Sequence, residues 1–163
     1  MKAHQARPCR RRKHRLSREL YQGEITACFT ACVGGRREVF LIADVVGTAL
    51  GDLRRACEKH RCDVLIYCFM PDHLHAALRG TAPAADLWSA MTLFKQLSGY
   101  RLSRRLPGFH WQKGFFDHVL RDESELAKQL RYISENPVRR GLAKSWQLYP
   151  FLGSDALDLH AVL

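Results

Sequence analysis

Two short patterns could do chemistry. His73-Leu74-His75 places two imidazoles two residues apart, and on a β-strand side chains at that spacing leave the same face. Two imidazoles so placed can hold one divalent ion, although two polar residues on a half-exposed strand face give the same pattern. The apolar run Val64-Leu65-Ile66-Tyr67-Cys68-Phe69-Met70 precedes them and would anchor the pair rigidly, and the turn signal Pro71-Asp72 sets His73 at an element edge. The second pattern is Tyr132 with Asn136. A helical period places Leu126, Leu130 and Ile133 on one narrow stripe, with Tyr132 about 125° and Asn136 about 85° from its centre. They share a flank, so both could meet something other than the core; a surface tyrosine beside a helix-ending Asn-Pro is equally compatible. A phenol, with a reference pKa of about 10, attacks phosphodiesters poorly unless a metal polarises the phosphoryl oxygen. Two imidazoles and an amide oxygen would leave positions open for phosphate and water. Tyr100, on a basic helix, is the competing nucleophile.

The elements that must position these groups fit one domain. The chain has 163 residues, 47% of them hydrophobic, which suits a single packed core. No apolar run is long enough to cross a bilayer and none follows the basic N-terminus as in a secretory signal, so a cytoplasmic, nucleoid-associated protein is expected. The net charge is +10 and unevenly spread. Residues 1–20 carry Lys2, Arg7, Arg10, Arg11, Arg12, Lys13, Arg15 and Arg18 against Glu19, leaving the rest at only +3. A polyanion, nucleic acid first, is the implied partner. Residues 1–20 read as a flexible basic arm, 21–152 as the folded domain and 153–163 as a C-terminal tail. The six cysteines, Cys9, Cys28, Cys32, Cys57, Cys62 and Cys68, include no CxxC pair and read as reduced thiols.

Strand signals at 23–32 are followed by a Gly34-Gly35 turn, an amphipathic helix at 44–60 and strands at 63–70 and 73–79. A helix at 84–105, a strand at 115–121 and a helix from Asp122, with Glu125 as capping partner, to about Asn136-Pro137 complete the pattern. The expected fold is α+β. It is a ferredoxin-like split βαβ antiparallel sheet with helices on one face, plus an added C-terminal helix carrying Tyr132.

Three separated motifs, in order, resemble a known family. The stretch from Tyr67 to His75 resembles the HUH motif (His, bulky hydrophobic, His) of Y1 tyrosine transposases of the IS200/IS605 type. His110-Trp111-Gln112-Lys113-Gly114-Phe115-Phe116-Asp117-His118 and the stretch Arg131-Tyr132-Ile133-Ser134-Glu135-Asn136-Pro137, continuing to Leu142, resemble the signature of REP-associated tyrosine transposases. The resemblance implies a single-strand DNA endonuclease and strand transferase acting on palindromic or hairpin DNA with Mg²⁺ or Mn²⁺. It gives Tyr132 the role of nucleophile, forming a 5′-phosphotyrosine link and a free 3′-OH. It gives His73, His75 and Asn136 the metal. Insertion-element relatives work as dimers and REP-type proteins can act as monomers, so monomer and homodimer are both compatible. Phe115-Phe116 and residues 148–154 depart from the usual pattern.

For DNA contact the candidates are Arg10, Arg11, Arg12 and Lys13 in the arm, Arg101, Arg104, Arg105 and Lys113 as a second basic cluster, and Arg139 and Arg140 as a phosphate clamp. His110 and His118 could assist proton transfer or touch DNA, and Trp111 and Phe116 could stack on unpaired bases. A hairpin-binding module without turnover, and a metal-dependent nuclease in which water attacks, are the rival readings.

Overall fold

The computed structural model describes residues 17–163, so Arg10, Arg11, Arg12 and Lys13 lie outside the described residues. Ser17 onward is described, and Arg18–Tyr21, at the end of the expected arm, is a single 3-10 turn whose Tyr21 is buried. Five strands follow: β1 (Thr26–Cys32), β2 (Cys62–Met70), β3 (His73–Gly80), β4 (Phe116–Val119) and β5 (Leu152–Gly153). The helices are α1 (Ala43–Lys59), α2 (Leu87–Arg105), α3 (Glu123–Arg139) and the short α4 (Leu159–Val162). All strand pairs are antiparallel, in the order β4-β1-β3-β2-β5. The first four strands with α1 and α2 make the expected split βαβ arrangement. The tyrosine helix α3 is the added element.

Alternation divides each strand between two cores. Ala27, Phe29 and Ala31 of β1 and Leu74, Ala76 and Leu78 of β3 pack beneath α1 and α2 with Val46, Leu53 and Phe94. The alternate residues face α3, where Ala77 of β3 meets Leu126, Leu130 and Ile133. The uninterrupted apolar run of β2 has a specific cause. A register shift between Val64 and Ile66 leaves Leu65 and Ile66 both in the α3-side core, so the strand is apolar on both faces.

Local chemistry sets the ends of the elements. Asp86 caps α2 through the Ser89 N–H, so this helix starts later than the periodicity suggests. Asp122 caps α3 through the Glu125 N–H, and Glu125 in turn accepts from the Arg121 N–H. α3 does not stop at Pro137 but runs to Arg139. Pro137 removes one N–H in the last turn only, while the Tyr132 carbonyl gains the Asn136 Nδ2 and Arg139 Nη2 donors, and Gly141, at φ +69°, closes the cap. The expected tail is bound to the domain. β5 pairs with Tyr67 and Cys68, Asp155 makes a bidentate pair with Arg54, and Leu159 is buried on the α3 side.

Candidate active site

The β2–β3 hairpin delivers the two histidines. Met70 and His73 pair across a two-residue turn, and the turn is clamped from outside: the Pro71 carbonyl accepts from the Val39 and Phe40 N–H groups, and the Asp72 carbonyl from that of Val33. With this tip fixed, His73 and His75 leave β3 toward α3. His73 is buried and its Nδ1–H donates to Asp72 Oδ1 at 2.6 Å; a carboxylate can only accept, so the proton is held on Nδ1 and Nε2 is the nitrogen turned toward His75. His75 Nδ1 lies 2.8 Å from Thr30 Oγ1, its cross-strand partner on β1. A hydroxyl either donates or accepts, so His75 can adopt either tautomer.

The two Nε2 atoms converge to 3.1 Å. Two neighbouring ligands of one octahedral ion with bonds of about 2.1 Å lie about 3 Å apart, so this separation fits a shared divalent cation. The outer partners fit as well, since a carboxylate and a hydroxyl orient the two rings from behind, as the hydrogen-bond partners of metal-binding imidazoles do. Among the described residues no group of three or more His, Cys, Asp or Glu is arranged around a metal position, so further ligands would come from amide, water or phosphate oxygens.

Opposite this pair stands α3. Leu126, Leu130 and Ile133 bury its apolar stripe against the sheet and leave Tyr132 on the flank, 48% exposed, with its ring edge-on to His75 at 6.0 Å between centroids. The Arg139 guanidinium lies over the Tyr132 ring at 4.5 Å and donates to the Tyr132 carbonyl at 3.0 Å. Asn136 is one turn on and half-buried. Its Nδ2 donates to that same carbonyl, leaving Oδ1 as the end with lone pairs for a cation. No hydrogen bond joins Asn136 to either histidine among the described residues. A small cleft of about 130 Å³ runs between α3 and the β1–β4 edge, lined by Thr30, His75, Phe116, His118, Gln129 and Tyr132 among others.

Arginine charge surrounds the histidine pair. Burial pushes His75 down to about 3, reinforced by His73, Arg139 and Arg36, so its ring is neutral at any physiological pH. Burial pushes the Asp72 carboxyl up, but the His73 hydrogen bond and the charges of His73, Arg36 and Arg140 outweigh it and hold Asp72 below the usual carboxylate range. Arg36 Nε reaches Asp72 Oδ2 at 2.8 Å from a residue at φ +56°, a backbone conformation that side chains other than glycine rarely adopt. The site thus carries three arginines around the histidine pair.

The remaining sequence candidates fall elsewhere. Arg101 pairs with the buried Asp52 of α1, Arg105 with Asp44, and Arg104 donates to the Tyr100 hydroxyl. They lie on the α1–α2 side of the sheet, as does Tyr100, so the structure does not bring them to the histidines. Lys113 is exposed in the loop before β4. His110 sits against Gly34, whose N–H bonds the His110 carbonyl, and its Nδ1 lies 3.2 Å from the Gly108 carbonyl. Trp111 packs against Phe40, Phe94 and Phe109. His118, on the site side, is bound through Nε2 to Glu125. Cys28, Cys57, Cys62 and Cys68 are unpaired thiols, and burial pushes Cys28 and Cys68 up to about 12, which leaves those two inert as nucleophiles.

Sequence reasoning did not single out Thr30, Arg36 and Gln129, and it read Asp72 only as a turn residue. Asp72 had a local signal, a carboxylate adjoining the first histidine. Thr30 reaches the site through strand pairing, Gln129 through helix docking and Arg36 from the turn after β1, and no spacing announces them.

Residues 4–136 match the family described as IS200-like transposases. The chain is 26% identical over 137 residues to a Haemophilus influenzae protein assigned as a REP-associated tyrosine transposase, covering 76% of each. Among solved structures, the REP-associated tyrosine transposase bound to a REP hairpin aligns with a TM-score of 0.74 at 20% identity, over 87% of this chain and 82% of that one. A Deinococcus radiodurans protein described as a transposase aligns with a TM-score of 0.52 at 17% identity, over 78% and 96%. At these identities the two structures speak to the fold. No helix among the described residues is long and apolar enough to cross a membrane.

Proposed function

Since the chain belongs to the family of IS200-like transposases, we propose that it nicks and rejoins single-stranded DNA at a hairpin through a covalent bond to Tyr132. The observation that carries this reading is the juxtaposition of the Tyr132 ring with two histidines whose Nε2 atoms converge. His73 and His75 would hold a divalent ion, Mg²⁺ or Mn²⁺, with Asn136 Oδ1 as the amide ligand offered from α3. When bound there, such an ion supplies Lewis-acid polarisation of the scissile phosphoryl oxygen.

The chain's own groups do the rest. Tyr132 Oη attacks the scissile phosphorus, the P–O3′ bond breaks, and the fragment so released ends in a 3′-OH. The phosphoryl group stays on tyrosine as a 5′-phosphotyrosine ester. The phenolic proton leaves to solvent or a nearby base, and the departing 3′-oxygen takes up a proton. One phosphodiester is exchanged for another, so no external energy source is required and a 3′-OH can reverse the step. Arg36, Arg139 and Arg140 would neutralise the phosphate, and the Arg139 hydrogen bond to the Tyr132 carbonyl supports a role in orienting that helix turn.

Incubating the protein with a labelled single-stranded hairpin oligonucleotide and Mg²⁺ or Mn²⁺ tests the reading. The expected result is a denaturant-resistant protein–DNA adduct that disappears with EDTA. Hairpin binding with no adduct in either metal would instead make the protein a binding module. Cleavage without an adduct would assign the attack to water.

Asp72 offers a separate check on the histidine pair. Without its carboxylate, His73 loses the partner that fixes its tautomer, and Arg36 loses its ion pair. Asp72→Ala is expected to weaken Mn²⁺ binding by about 10–100-fold in calorimetric titration. An unchanged affinity would show that His73 is not a ligand.

A further inference from the structure

Behind the sheet from the candidate active site lies a second and larger cavity, of about 560 Å³. It opens between α2 and the loop leading into β4, and its walls include Trp88, Tyr100, Phe109, Trp111 and Phe115. We propose that this cavity is a binding site for an unpaired nucleobase of the DNA strand engaged at Tyr132. The proposal rests on the DNA-strand chemistry set out above and adds to it a base-recognition site on the opposite face of the sheet.

The aromatic walls are set in advance. Trp111 stacks on Phe40, crosses Phe94 and Phe109, and donates its indole N–H to Ser98 Oγ at 3.0 Å. Phe115 packs on Trp88 and Phe29. Lys95 ties the loop to α2 by donating to the carbonyls of Gln112 and Gly114. Rings held in this way cost little to order when a planar ligand arrives, and a base offers a π-face to any of them.

Charge selects the occupant. Lys95 and His110 line the cavity, and among the described residues no carboxylate does. The exposed Tyr100 is covered on one side by the Arg104 guanidinium, 5.5 Å from the ring centroid, and Lys113 is exposed in the same loop. An aromatic cavity bordered by cations fits a base attached to a phosphate chain.

The route to it is short. Phe115 and Phe116 are consecutive at the edge of the sheet; Phe116 lines the cleft with His75 and Tyr132, and Phe115 lines this cavity. β4 is the outermost strand on that side, so a single strand can pass around it from one face to the other. Gly99 adds an independent indication. It lies inside α2, where glycine is a poor helix former, yet a Cβ built there would meet Trp111 Cδ1 at 3.5 Å, an ordinary contact. Nothing steric requires glycine at this point. What its absent side chain leaves is open space above the indole.

The test compares two metal-free binding curves by quenching of tryptophan fluorescence, one with a random-sequence single strand of about 16 nucleotides and one with an abasic strand of equal length. The wild-type protein is expected to bind the base-bearing strand at least about fivefold more tightly. Gly99→Leu should bring the ratio close to one with an undiminished melting temperature, and Gly99→Ala should give an intermediate ratio and a melting temperature at or above wild type. A ratio near one for the wild type, or a ratio that neither substitution changes, overturns the proposal. The adduct assay separates this result from the chemistry. An adduct without base-dependent binding removes the cavity's role alone; base-dependent binding that Gly99→Leu abolishes, without any adduct, removes the tyrosine chemistry and keeps the cavity.

Discussion

Tyr132→Phe is expected to fold and bind DNA like the parent protein and to form no covalent adduct. Tyr132 is 48% exposed, and no described residue hydrogen-bonds its hydroxyl. The Arg139 guanidinium over the ring at 4.5 Å would find the same π-face on phenylalanine. Stability should therefore change by no more than about 0.5 kcal/mol. Adduct formation, by contrast, loses the attacking atom, and its rate should fall by at least about a thousandfold. A labelled hairpin on a denaturing gel, beside a thermal melt, reads both quantities. Persistence of the adduct would move the nucleophile elsewhere, and the other exposed tyrosine, Tyr100, lies on the far side of the sheet from both histidines. That outcome would dismantle the site, not merely rename one residue.

The second large effect falls on stability, far from any chemistry. Gly80 ends β3 where the chain segments around Gly23 and Ala85 cross it. A Cβ built on Gly80 would overlap the Gly23 carbonyl oxygen and stand 2.9 Å from Ala85 Cβ. Neither neighbour is a flexible side-chain end. The crossing is also pinned by hydrogen bonds, from the Gly80 N–H to the Ile25 carbonyl at 2.9 Å and from the Gly23 N–H to the Ala85 carbonyl at 3.0 Å. Gly80→Ala must therefore move backbone and is expected to cost about 3 kcal/mol. For a domain of this size that lowers the melting temperature by roughly 6–12 °C. A melt within about 2 °C of wild type would mean the crossing can yield.

Much of this was readable in the sequence, for identifiable reasons. Helices α1 and α3 declare themselves because Val45, Val46, Ala49 and Leu53, and then Leu126, Leu130 and Ile133, recur at helical spacing toward one core each. The histidine pair and Tyr132 were legible because local geometry, strand alternation and helix phase, decides which way each points. Pro137 misled as a stop signal, since a missing N–H matters little in a last turn that Arg139 and Asn136 reinforce. β5 carried no signal because two residues have no period; pairing with Tyr67 and Cys68 makes them a strand. Thr30 and Arg36 belong to the site through contacts 45 residues away in the first case and 36 in the second, distances over which a single sequence is silent.

The attachment of β5 and the segment around it to β2 also has a consequence in time. Cys68, Ile66 and Met70 of β2 are covered on the α3 side by the tyrosine helix and by Tyr149, whose hydroxyl donates to the Phe69 carbonyl at 2.7 Å. During synthesis, at about 5–20 residues per second, the strand leading to the histidines must wait roughly 4–17 s for Gly153, its partner at Tyr67. Until then a nascent chain displays an apolar face that chaperones and proteases recognise. An unfinished protein thus advertises its incompleteness on the same layer that will hold the nucleophile in register.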